Sequence, residues 1–69
     1  SGASAIGDNS TAIGKQTDAS GAASTATGAL AKAQGASSAA YGVTALAEKD
    51  RSTAIGGSSQ AREINATAI

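Results

Sequence analysis

The chain has no cysteine, histidine, proline, methionine, tryptophan or phenylalanine, and Tyr41 is its only aromatic residue. Without cysteine and histidine, disulfides, the usual zinc ligand sets and histidine-based triads all drop out. The missing cysteine leaves the redox compartment open. Charge is scarce as well: five basic residues cancel five acidic ones. With neither a phosphate-attracting field nor stacking platforms, no nucleic-acid partner is expected. No apolar run approaches the length of a membrane span and no signal pattern opens the chain, so this segment is expected to make no membrane contact. Large apolar side chains are rare too. Of 28 apolar residues 19 are Ala, and the rest are five Ile, two Leu, one Val and Tyr41. A 69-residue chain with such small side chains cannot bury enough apolar area to offset its ordering entropy. It needs partners or a repeat array.

A repeat array is what the sequence contains. NSTAIG at 9–14 returns as RSTAIG at 51–56 and NATAI at 65–69, at offsets of 42 and 56 residues, both multiples of 14. Every seventh residue from Ala5 is alanine: Ala5, Ala12, Ala19, Ala26, Ala33, Ala40, Ala47, Ala54, Ala61 and Ala68. Two residues before each stands Ser, Thr or Ala. Two residues after come Gly7, Gly14, Gly21, Gly28, Gly35, Gly42 and Gly56, with Lys49 and Glu63 as departures. The unit is SxAxGxx, and no insertion breaks its phase.

A seven-residue period first suggests a coiled coil. Seven in-register glycines, each about 1 kcal/mol worse than Ala inside a helix, argue against it. The heptad also lacks a second apolar position. A flexible linker is no better a reading, because linkers do not hold one residue type at ten evenly spaced sites. Within SxAxG, small residues alternate with variable ones, the period of a strand with one tight face. The two residues after Gly turn the chain. The pattern therefore predicts an all-β coil with two short strands and 14 residues per turn, about five turns in all. At roughly 4.8 Å per strand the stack is about 24 Å long. The ten alanines line its interior, and the glycines suit corners where positive φ is needed.

The outward residues of alternate strands differ in character. One set is Thr11 and Ile13, Thr25 and Thr27, Ala39 and Tyr41, Thr53 and Ile55, Thr67 and Ile69, none of them charged. The other is Ser4 and Ile6, Asp18 and Ser20, Lys32 and Gln34, Leu46 and Glu48, Gln60 and Arg62, of which four are charged. One face is expected to meet water and the other protein. Several copies joining their uncharged stripes would build the core that the narrow interior lacks. Periodicity alone does not fix how many.

The SxAxGxx units, the alternating faces and NSTAIG itself resemble the head domain of trimeric autotransporter adhesins, the YadA-like family with NSVAIG-type repeats. The resemblance runs in phase from Ala3 to Ile69. It implies a left-handed parallel β-roll assembled as a homotrimer, whereas general crossover chirality favours the right hand. It also implies a location on the surface of a Gram-negative bacterium, as the extracellular head of an outer-membrane-anchored protein, with collagen, fibronectin or laminin among the family's ligands. On this reading residues 1–69 are a single head fragment cut at both ends. Thr11, Ile13, Thr25, Thr27, Tyr41, Thr53, Ile55, Thr67 and Ile69 form the trimer interface. Thr at 11, 25, 53 and 67 stands where the family motif has Val, making that core more polar.

Other features carry less. The charged run Glu48 to Arg51 reads as a solvated corner, and Leu30, Val43 and Ile64 fall at corners where neighbouring chains can pack. The sequons Asn9-Ser10-Thr11 and Asn65-Ala66-Thr67 follow from the repeat and are inert in a bacterium. Asp8, Asp18, Glu48, Asp50 and Glu63 lack calcium-loop spacing, and no nucleophile stands beside a base, so no metal, cofactor or catalysis is expected. The functional expectation is adhesion to host matrix or cells through many identical contacts. Two alternatives stand beside it: an ice-binding face built on Thr11, Thr25, Thr53 and Thr67, and a structural spacer in a longer surface fibre.

Overall fold

The computed structural model describes residues 2–69, and the fold is all-β. Strands β1 (Ser4–Ala5), β3 (Asp18–Ala19), β5 (Lys32–Ala33), β7 (Leu46–Ala47) and β9 (Gln60–Ala61) form one sheet in that order. Strands β2 (Thr11–Ile13), β4 (Thr25–Thr27), β6 (Ala39–Tyr41), β8 (Thr53–Ile55) and β10 (Thr67–Ala68) form the other. All pairings are parallel and shifted by one 14-residue turn, as in Ser4↔Asp18, Ala26↔Ala40 and Tyr41↔Ile55. The coil is thus a parallel β-solenoid of about five turns, a slab with Cα extents of 29 × 25 × 10 Å.

The strands have two or three residues, fewer than the five the SxAxG unit predicts. The flanking small residues keep one ladder bond each, as in Thr25 N–H to the Ser38 carbonyl and Gly28 N–H to the Ile13 carbonyl, and turn their other backbone group to the corner. The N–H groups of Ser24, Ser38 and Ser52 each donate 3.2 Å bonds three residues back, to the carbonyls of Gly21, Gly35 and Lys49. What remains between corners is just long enough to point one alanine inward. Ala19, Ala26, Ala33, Ala40, Ala47 and Ala54 are fully buried, Ala61 nearly so, and Thr17, Ser24, Ser38 and Ser52 are buried beside them. Ala12 and Ala68 are half-buried and Ala5 is exposed. The outermost turns have a neighbour on one side only.

The corners use a conformation the sequence did not advertise. In each, the second residue after the glycine position takes a left-handed φ, from Asn9 (58°) through Ala23, Leu30 and Thr44 to Asn65 (63°). Such a conformation costs a non-glycine residue about 1–2 kcal/mol. It is over-determined here because each of these N–H groups, from Ala23 onward, donates to the carbonyl of a corner residue one turn back. Examples are Ala23 to Asp8 (2.7 Å) and Thr44 to Ala29 (2.9 Å). The glycines divide by edge. Gly28, like its equivalents after the other even strands, has a φ near 118°. Gly21, after an odd strand, lacks positive φ, but a Cβ there would strike the Gly35 carbonyl. Lys49 and Glu63 both follow odd strands, where the backbone angle admits a side chain.

Candidate interaction surface

Alternation along the even strands sends the uncharged residues to one outer face, in two columns. Ile13, Thr27, Tyr41 and Ile55 stand in cross-strand register, and Ile69 continues the column past β10. Thr11, Thr25, Ala39, Thr53 and Thr67 form the second column. In the single chain Ile13 is 58% and Tyr41 41% exposed, and Ile55 and Ile69 are exposed as well. Thr25, Thr27, Ala39 and Thr53 are half-buried, whereas Thr11 and Thr67 are exposed. Apart from Thr27 the first column is apolar, and in the single chain Ile13, Tyr41, Ile55 and Ile69 face water.

The odd strands present the polar face. Asp18 and Lys32 are register neighbours, with Lys32 exposed and Asp18 half-buried. The Arg62 guanidinium donates from Nε to Glu48 Oε1 at 3.3 Å, an exposed pair that contributes little to stability. Ile6 is exposed on this face, and Leu46 is half-buried.

The two edges of the slab are built by different corners. Corner I follows the odd strands and exposes Asp8 and Asn9, Ala22 and Ala23, Ala36 and Ser37, Asp50 and Arg51, then Ile64 and Asn65. Corner II follows the even strands and carries Lys15 and Gln16, Ala29 and Leu30, Val43 and Thr44, then Gly57 and Ser58, all exposed save half-buried Ala29. Side chains add rungs between turns. Asp50 Oδ1 accepts the Ala36 N–H (3.1 Å), Arg51 Nε donates to Asn65 Oδ1 (2.9 Å), and the Thr44 and Ser58 hydroxyls lie 3.0 Å apart. The sequon asparagines Asn9 and Asn65 both sit at corner I, in left-handed conformation.

The Ile13–Tyr41–Ile55 column borders corner II, where Val43 is exposed, while Leu30 lines a shallow depression with Lys32, Leu46 and Gln60 of the polar face. The threonine column borders corner I. Linear reading assigns both columns to an uncharged face and Leu30 and Val43 to corners, but misses which column meets which corner, because that depends on which end of the strand each corner closes. Among the described residues no group of three His, Cys, Asp or Glu could hold a metal ion. Beta-solenoids of this kind are in general not enzymes.

Comparison with known families agrees with this architecture. The family described as YadA head domain repeat matches at residues 1–17, 5–31 and 47–69, more than half of the chain. No curated protein and no solved structure gives a match. The chain therefore belongs to the YadA head-domain family, the heads of trimeric autotransporter adhesins, and carries the surface-adhesin type of function that goes with it.

Proposed function

We propose that this solenoid is the rigid head of a bacterial surface adhesin, wound left-handed and assembled as a homotrimer, that attaches a Gram-negative cell to host extracellular matrix or host cells. The observation that carries the reading is the uncharged ladder of Ile13, Tyr41 and Ile55, exposed on a chain whose own core is alanine and serine. Three copies sharing that ladder gain the apolar core that each slab lacks. The polar face is then left outward on every chain, where strand-by-strand repetition multiplies weak contacts into useful avidity. In this arrangement the head projects from an outer-membrane-anchored protein, and none of its residues touches the membrane.

The threonine column is interrupted by Ala39 and flanked by Ile and Tyr, which leaves adhesion favoured over ice binding. The test is capture of the purified protein on immobilised collagen, fibronectin and laminin and on host cells. Saturable binding to one of these, lost when the polar-face residues Gln34, Gln60 and Arg62 are replaced by Glu, is the expected result. A folded trimer that binds none of them would leave the segment as a spacer.

A further inference from the structure

The trimer reading says which face turns inward but not how neighbouring slabs meet at their edges, and the two corners differ in a way that bears on this. A corner II residue lies seven positions after its corner I counterpart, half a turn further along the stack. A closed ring of chains around an axis parallel to the stack allows rotation but no translation. If one chain's corner II lies against the next chain's corner I, each corner II level must fall between two successive corner I levels of the neighbour.

Taken level by level, the two edges match in charge and size. Lys15 falls beside the neighbour's Asp8. Leu30 falls between levels occupied by Ala22 and Ala36, where the side chains are small. Val43, 57% exposed in the single chain, falls between Ala36 and Asp50. Further along, corner I becomes bulky with Asp50 and Ile64, and the corner II residue at that level is Gly57. At the Leu30 and Gly57 levels large residues on one edge thus meet small ones on the other, and at the Lys15 level the charges are opposite.

A second observation supports the Val43 level independently. Corner I contains a depression of about 280 Å³ lined by Ala36, Ser37, Asp50, Arg51 and Ile64, where the Val43 knob would land. The Ala36 N–H at this site is already taken by Asp50 Oδ1 at 3.1 Å. An apolar side chain can therefore cover it without burying a bare donor.

We infer that the chains close their ring edge to edge, corner II of each slab seating in corner I of the next, with Val43 and Leu30 as knobs and Lys15 against Asp8. The occupant of each edge is a second copy of this chain in parallel orientation. The inference rests on the trimeric reading but can fail separately from it.

The chain has no native cysteine, so a disulfide can be introduced without interference. In the double variant Ala36→Cys with Val43→Cys, β6 lies between the two positions, roughly 20 Å of extended chain. A disulfide needs Cα atoms within about 7 Å, so only an interchain bond can form. Oxidation is expected to give a covalent trimer on non-reducing denaturing electrophoresis, and the single variants none. A trimer by light scattering with no interchain disulfide overturns the edge-to-edge closure and leaves the trimer standing. A single-chain mass overturns both. A charge exchange keeps the question open to test should the cysteine variant misfold. At low ionic strength Asp8→Lys is expected to lower the melting temperature of the assembly, and adding Lys15→Asp to restore it. A double variant as unstable as Asp8→Lys alone overturns the proposal.

Discussion

Replacing Ala40 with leucine puts three more carbons into the narrowest part of the molecule. Ala40 is fully buried, in register with Ala26 on one side and Ala54 on the other, and it faces the equally buried Ala33 and Ala47 of the opposite sheet. The whole slab is 10 Å thick through its Cα atoms. A leucine there must press on the opposite sheet, and the sheets cannot separate locally while every strand is tied to the turns above and below. In ordinary cores overpacking destabilises by about 1–3 kcal/mol, and this site belongs at the upper end. For a domain of this size about 3 kcal/mol corresponds to a fall in melting temperature of roughly 12–24 °C. The assay is thermal unfolding followed by far-ultraviolet circular dichroism, with Lys32→Leu as the control. Lys32 is exposed on the polar face, and the same side chain there should change stability by no more than about 0.5 kcal/mol. If Ala40→Leu melted within a few degrees of the parent, the interior would not be the close-packed alanine lining described above.

Two further pairs of substitutions test the corners. Gly28→Ala forces a side chain onto a φ of 118° and brings its Cβ to 2.8 Å from the Gly42 carbonyl. It should destabilise by about 1–3 kcal/mol, whereas Gly57→Ala, whose Cβ would find nothing closer than 3.9 Å, should be neutral or slightly stabilising in denaturant titration. Ser52→Ala removes a buried hydroxyl that donates to the Lys49 carbonyl at 2.7 Å and should cost about 1 kcal/mol. Ser24→Ala removes a buried hydroxyl with no partner and should leave stability unchanged or raised, a difference in sign that the same titration reads directly.

Much of the architecture was legible because it rests on translational repetition. The alanine every seven residues fixes the strand phase, and the 14-residue alternation of charged and uncharged outward residues fixes which sheet each strand joins. Both are properties of order along the chain. The glycines were harder to read. Their spacing shows that corners exist, but not that Gly28 is needed for its backbone angle and Gly21 for the nearness of the Gly35 carbonyl. Those demands arise only when one turn lies on the next. For the same reason the left-handed corner residue varies widely in type, from Asn9 to Leu30 to Arg51, and leaves no composition signal. The hydrogen bond from one turn to the previous one enforces that conformation, and a side chain does not. The division of the uncharged face into an Ile–Tyr column beside corner II and a threonine column beside corner I likewise needed the corners to be placed in space.

The central claim is that the exposed Ile13–Tyr41–Ile55 ladder is covered by copies of this chain. The most direct measurement is the mass of the purified protein by multi-angle light scattering across a tenfold range of concentration. The account predicts a mass of three chains that falls to one when Tyr41 is replaced by lysine. A folded parent protein with the mass of one chain at every concentration would contradict it.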